Sequence, residues 1–261
     1  MSRIQTTFEQ LNGSKALVSY ITAGDPDLRT TLSLMHSLAA NGADILELGI
    51  PFSDPMADGP TIQRAAERAL AQGVSLKDVL ALVAEFRQSN AATPVVLMGY
   101  LNPVHKMGYT AFAQAAAAAG VDGVLTVDSP VETIAPLHEA LKQQGIDCIF
   151  LVAPTTTEAR IQTIASLASG FVYYVSLKGV TGSAQLDTEA VSRKIEHLRK
   201  HIDIPSGVGF GISDAESARK IAAVADAVIV GSRIVNEIER NPGNEAAAAG
   251  ALVKTLKNAI S

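Results

Sequence analysis

The chain reads as one α/β domain, a single (β/α)8 barrel of the TIM type spanning residues 1–261, with extra short helices. Three observations lead there. Eight short runs of apolar residues alternate with longer helical patterns from end to end. Most of these runs are continuously apolar rather than alternating, as in parallel strands covered on both faces. The length of 261 residues suits a barrel of about 250 residues. With no long structureless linker to mark a second domain, a closed barrel is favoured over an open doubly wound sheet.

The expected strands are residues 16–22, 44–49, 94–99, 122–127, 147–152, 171–176, 206–209 and 226–230. Helical patterns fall between them at 28–40, 76–88, 109–119, 131–144, 157–168, 188–201 and 214–223. Gly42, Gly120 and Gly145 each follow a helical stretch and precede a strand, as C-terminal stops do. Ser213-Asp-Ala-Glu216 fits a capping box opening the helix that follows. The alanine run 115–119 predicts a helix face packed closely on the barrel wall. Asn241-Pro-Gly243 divides the C-terminal region into a short helix after strand eight and a final helix over 244–260.

Composition narrows the function classes. Hydrophobic content of 48% with 18% charged residues describes a globular chain with a substantial core. A net charge of -5 and no basic stripe exclude nucleic acid as a natural partner. The first residues lack the apolar core of a signal peptide, and no apolar run approaches the ~18 residues of a membrane span. These features predict a cytoplasmic protein that does not engage a membrane. The lone cysteine, Cys148, allows no internal disulfide and reads as core packing within Cys-Ile-Phe-Leu-Val. His197 and His201 stand four apart, but Leu-Arg-Lys lies between them and no acid follows His197. They read as a solvated helix face, and no metal site is predicted.

The most informative stretch is Glu47-Leu-Gly-Ile-Pro-Phe-Ser-Asp-Pro-Met-Ala-Asp58-Gly-Pro60. Glu47 shares a strand face with Ile45, opposite Leu46 and Leu48. If that face lines a barrel, Glu47 sits at its mouth, where an unpaired carboxylate is costly. A loop carries a second acid, Asp58, to the edge of the next helix. Two carboxyl groups in different environments can divide the proton transfers of one reaction. The plainer alternatives are a structural Glu47 paired with a basic group and an Asp58 that closes an Asx-turn or starts a helix.

Barrel enzymes draw working groups from the C-terminal ends of strands. Those ends supply Tyr20, Thr22, Glu47, Met98, Tyr100, Asp128, Tyr173 and Ser176, then Gly209-Phe-Gly-Ile-Ser213 and Gly231-Ser232. Glycine turns after strands seven and eight, with an extra helix opening at the second, form the usual phosphate site of this fold. Gly182-Ser183 could close over the same anion. A phosphorylated small molecule is therefore the expected ligand.

The 47–63 segment resembles the signature of the tryptophan synthase alpha chain family. Thr22-Ala-Gly-Asp-Pro26, Gly179-Val-Thr-Gly182, Gly209-Phe-Gly-Ile-Ser213 and Val230-Gly-Ser232 match further motifs of that family in order. The resemblance implies cleavage of indole-3-glycerol phosphate to indole and glyceraldehyde 3-phosphate, within tryptophan biosynthesis. It implies Glu47 and Asp58 as the catalytic pair, with Tyr173 in support. It places Tyr20, Met98, Tyr100, Leu125 and Asp128 at the indole end, and Thr181, Gly182, Phe210, Gly211, Gly231 and Ser232 at the phosphate end. Asp54, Asn102 and Pro103, in the second loop and the Leu101-Asn-Pro103 turn, become interface candidates. The implied partner is a beta chain holding pyridoxal phosphate in an alpha2-beta2 tetramer, with no cofactor on this chain. A lone subunit is expected to turn over slowly. Some relatives carry an arginine where this chain has Leu177 or Lys178. Two rivals differ in chemistry: an aldolase forming a Schiff base through Lys178, and a silent activator that binds the phosphate ligand without acting on it.

Overall fold

The computed structural model describes residues 2–175, 188–209 and 211–261. The chain opens with α1 (Arg3–Leu11), β1 (Ala16–Thr22), α2 (Leu28–Ala40), β2 (Ile45–Gly49), α3 (Pro60–Ala71), α4 (Leu76–Arg87) and β3 (Val95–Gly99). It continues through α5 (Leu101–Met107), α6 (Tyr109–Ala119), β4 (Gly123–Thr126), α7 (Ala135–Gln143), β5 (Asp147–Val152), α8 (Glu158–Leu167) and β6 (Val172–Val175). Last come α9 (Thr188–Leu198), β7 (Ser206–Gly209), α10 (Ala215–Ala222), β8 (Ala227–Val230), α11 (Ser232–Arg240) and α12 (Glu245–Ile260). Each strand pairs in parallel with the next, and β8 closes on β1. The expected (β/α)8 barrel is therefore the observed architecture.

The continuous apolar runs follow from burial on both sides of the sheet. Val18, Ile45, Val96, Leu125, Ile149 and Ile229 meet inside the barrel. The intervening Leu17, Leu46, Leu97 and Val124 pack outward beneath the helices. Both sets leave water, and each aliphatic side chain so buried contributes about 1.5–3 kcal/mol of favourable transfer. The alanine run behaves as expected: Ala113, Ala116 and Ala119 of α6 are buried, bringing that helix close to its neighbours. Cys148 is buried, and that burial pushes its thiol up to about 12, which keeps it an inert packing group.

Several expectations require correction. The Leu101-Asn-Pro103 segment is not a turn; it is the first turn of α5, where Pro103 gives up an amide that has no intrahelical partner anyway. The cap of α10 is Asp214 rather than Ser213, with Ser217 completing the capping box. The Asp214 carboxylate accepts from the Ser217 amide at 2.8 Å, and as a charged acceptor it outcompetes a neighbouring hydroxyl. The 131–144 helix begins only at Ala135, because a turn around Pro130 accepts the Thr133 and Ile134 amides. Ser176 lies outside the described residues.

The N-terminal ends of the strands are closed by α1, which the sequence reading did not anticipate. Fully buried Ile4 joins the interior layer, with Phe8 and Leu11 packed against it. The Phe8 and Phe171 ring centroids lie 6.3 Å apart.

A carboxylate repeats at this same end. Asp44 accepts the Leu17 amide at 2.6 Å and the Lys257 ammonium at 2.7 Å. Asp122 accepts the Val95 amide at 2.8 Å and pairs with Arg3 and Arg87. Asp226 accepts the Ser206 amide at 2.9 Å and pairs with Arg199 at 2.8 Å. In each case an acid preceding an even-numbered strand fixes the first or second amide of the odd-numbered strand beside it, and a cation neutralises it. These contacts hold register at the face opposite the strand C-termini.

The three pairs differ in depth. Asp122 and Arg87 are only 4% and 11% exposed, whereas Asp226 and Arg199 are 33% and 48% exposed. Asp122→Ala takes the carboxylate from the largely buried Arg87, which keeps only carbonyl acceptors, and strips the Val95 amide of its acceptor; it is expected to cost about 3–5 kcal/mol. Asp226→Ala should cost about 1–2 kcal/mol. Urea unfolding midpoints check this order, and equal losses would refute it.

Candidate active site

Glu47 is the third residue of β2, facing inward as its strand parity requires, with Tyr20 of β1 and Val96 of β3 beside it in register. It is fully buried, and neither carboxyl oxygen has a hydrogen-bond partner among the described residues. The alternative of a structural acid paired with a basic group is therefore not met there. Burial without compensation, then the charge of Asp58, pushes its pKa up to about 8. At neutral pH it is a carboxylic acid poised to give up a proton.

Two tyrosines form the walls around it. A Cβ at Gly49 would overlap the Tyr20 hydroxyl, and one at Gly209 would overlap the Tyr173 hydroxyl. Both rings thus occupy space that only glycine leaves free at the top of an inward strand face. Tyr20 shares a hydrogen bond with Thr22 at 3.3 Å. Desolvation raises both phenols well above their usual range, so each remains a neutral hydroxyl.

Asp58 comes from the loop between β2 and α3. Its amide donates to the Pro55 carbonyl at 3.0 Å, and the Gln63 side-chain amide donates to the Asp58 carbonyl at 2.8 Å. Its carboxylate accepts from the Tyr100 hydroxyl at 3.2 Å, and the same hydroxyl accepts from the Ala57 amide at 2.9 Å. Tyr100 is braced in turn by stacking on Phe52 at 5.1 Å. The helix-start alternative fails too: the N-cap of α3 is Gly59, with no side-chain cap bond. Partial burial raises the Asp58 pKa, while the Tyr100 hydrogen bond pulls it back. The two acids therefore sit in unlike environments, one dry and unpartnered, the other hydrogen-bonded.

Both acids line one cavity of about 1090 Å³ at the C-terminal ends of the strands, together with Tyr20, Met98, Asp128 and Tyr173. Asp128 also accepts the Leu101 amide at 2.7 Å, tying the start of α5 to the wall. Gly211, Gly231 and Ser232 lie on the same cavity. Gly211 has φ +74°, a left-handed conformation that glycine adopts without strain. Gly231 precedes α11 and provides no side-chain cap. The first amides of that helix thus keep free donors and a favourable dipole for an anion.

Some expected site residues lie elsewhere. Leu125 is fully buried in the packed interior layer rather than on the cavity wall, because its inward position meets Val96 and Ile149. Tyr100 stands behind Asp58, as its support. Thr181, Gly182 and Phe210, with Leu177, Lys178 and Ser183, lie outside the described residues. Asp54 and Asn102 are exposed and Pro103 is half-buried, away from the cavity wall. Ile62, Arg233 and Asn236 line the cavity without having been anticipated. Asn236 is four residues after Ser232, on one helix face, and that spacing was a usable signal.

Comparison with known proteins agrees with this arrangement. The family model described as tryptophan synthase alpha chain matches residues 8–261. The tryptophan synthase alpha chain of Neisseria meningitidis serogroup B is 75% identical over 260 residues, covering 100% of both chains. The crystal structure of tryptophan synthase subunit alpha from Legionella pneumophila superposes with a TM-score of 0.94 at 44% identity, covering 100% of this chain and 98% of that one. A chain of the tryptophan synthase complex from Pyrococcus furiosus gives a TM-score of 0.85 at 37% identity, with 94% and 98% covered. A closed barrel carrying two unlike acids and a glycine-flanked helix N-terminus on one cavity, matched along its length in this way, belongs to the tryptophan synthase alpha chain family.

Proposed function

We propose that Glu47 and Asp58 divide the proton work of the alpha reaction of tryptophan synthase. In that reaction indole-3-glycerol phosphate is cleaved to indole and glyceraldehyde 3-phosphate, a carbon–carbon lyase step in tryptophan biosynthesis. The observation that carries the assignment is the unpartnered, fully buried carboxyl of Glu47 facing the same cavity as Asp58.

The bond between indole carbon 3 and the glycerol side chain needs an electron sink before it can break. Protonating carbon 3 creates one, because the ring becomes an iminium-like cation. Neutral Glu47 donates that proton. Asp58, ionised and hydrogen-bonded to Tyr100, faces the indole N–H and stabilises the positive charge. The Glu47 carboxylate then takes the proton of the side-chain hydroxyl as the carbonyl forms. The electrons of the broken bond return to the ring, releasing indole, and Glu47 ends protonated as it began. This proton cycle needs no metal, Schiff base or cofactor on this chain. Tyr173 and Tyr20 shape the pocket around the ring, with Met98 and Asp128 beside it. Gly211, Gly231 and Ser232, with Thr181, Gly182 and Phe210, grip the phosphate.

The family implies a beta-chain partner. We assign pyridoxal phosphate to that partner, an alpha2-beta2 assembly to the complex, and the interface to the face carrying Asp54, Asn102 and Pro103. Met56 supports that choice: it is 82% exposed and stands on the same loop as Asp54. A cytoplasmic location fits a biosynthetic enzyme of this kind. Among the described residues no helix is long and apolar enough to cross a membrane.

Glu47→Gln is expected to retain the fold while lowering kcat for indole release by about 10²–10⁴-fold. Near wild-type turnover would refute the assignment, and a borohydride-trapped adduct on Lys178 would revive the aldolase reading. The same variant has a pH signature. The folded state holds the Glu47 proton up to about pH 8, whereas the unfolded chain releases it near its ordinary value. Wild-type stability should therefore decline relative to Glu47→Gln as pH rises from about 4.5 to about 8, then stay level. The gap should reach a few kcal/mol in denaturant titrations at pH 5, 7 and 9. Adding the cognate beta chain should raise the cleavage rate, as measured by indole formation with and without it.

A further inference from the structure

α3 and α11 pack side by side beneath the cavity mouth, with Ala65 and Val235 closing on Tyr20 and Ile62 against them. A line of polar contacts runs over this apolar seam. Thr61 Oγ1 lies 3.4 Å from Asn236 Oδ1. The Arg64 guanidinium forks onto the Glu239 carboxylate at 3.1 and 3.0 Å. Arg68 reaches the same carboxylate at 2.7 Å and forks onto Asp25 at 2.7 and 2.9 Å. Thr61, Arg64 and Arg68 recur at steps of three and four, so they share one face of α3. Asp25 is 2% exposed in the loop after β1.

The position of Glu239 is unusual for an acid. It occupies the last turn of α11, where the helix dipole disfavours negative charge. The two arginines offset that cost, and their hydrogen bonds and charges hold its carboxyl below the usual carboxylate range. The carboxylate thereby joins the helix that opens just after Asp58 to the helix whose first amides face the cavity.

We propose that Glu239 is a positioning residue. With Arg64 and Arg68 it holds the Asp58 loop in register with the phosphate cradle, so that a substrate gripped at its phosphate presents its ring to Asp58 and Glu47. The inference rests on the reaction proposed above. Partly exposed ion pairs add little to stability, although bidentate networks keep geometry well. The effect therefore belongs in the chemical step, where a misplacement of about 1 Å can cost on the order of 10²-fold.

The test is steady-state cleavage of indole-3-glycerol phosphate by the full chain. Glu239→Ala is expected to lower kcat by about tenfold or more, with KM within about threefold and the melting temperature within about 4 °C. Glu239→Gln keeps an acceptor for Arg64 and should recover part of kcat. Arg64→Ala should resemble Glu239→Ala, and the double variant should be no worse than either single change. Arg68 is the poorer target, because its loss strands buried Asp25. An unchanged kcat per folded molecule, or a defect confined to KM, would overturn the clasp alone. A wild-type chain that fails to cleave the substrate would overturn both the clasp and the reaction.

Discussion

Everything at the mouth of this barrel depends on a carboxyl group kept dry and without a partner. A buried acid normally recruits a cation or a set of amides, and Glu47 has neither among the described residues. β2 pairs with strands on both sides, which fixes the side chain on the inward face of the barrel. An isolated acid in such surroundings keeps its proton at neutral pH, which is the state that an attack on an electron-rich ring requires. In the proposed proton cycle Asp58 needs the opposite state. Its placement on a loop, with a phenol to accept from, favours that state on the wall of the same cavity.

The two ends of the barrel use carboxylates in opposite ways. At the closed end, Asp44, Asp122 and Asp226 are each satisfied by an amide and a cation, so their charge is spent on holding strand register. At the open end satisfaction is withheld from Glu47 and made conditional for Asp58. Rigidity at one end permits an unfavourable arrangement at the other.

Much of this was legible in the residues. All eight strands were visible because burial on both faces leaves unbroken apolar runs. The Glu47–Asp58 pair was visible because acids stand out against such runs. What escaped reading depends on tertiary approach. Ile4, Phe8 and Leu11 have helical spacing, but nothing local shows that they plug a barrel. Proline at 103 looks like a turn until the helix it begins is seen. Tyr100 sits at a strand end and so resembles a pocket wall, yet the fold of the preceding loop turns it into a brace for Asp58. Leu125 points inward as expected, in register beside Met98 of the cavity wall and packed into the interior layer.

The exchange of glycine for ring at Gly49–Tyr20 and Gly209–Tyr173 has a consequence for how such a protein can vary. Each pair shares one volume, so enlarging the small member produces overlap and shrinking the large one leaves a hole. Neither partner can drift alone. Diversity at these four positions has to arrive as coordinated replacements, and libraries that randomise them one at a time will sample mostly dead ends.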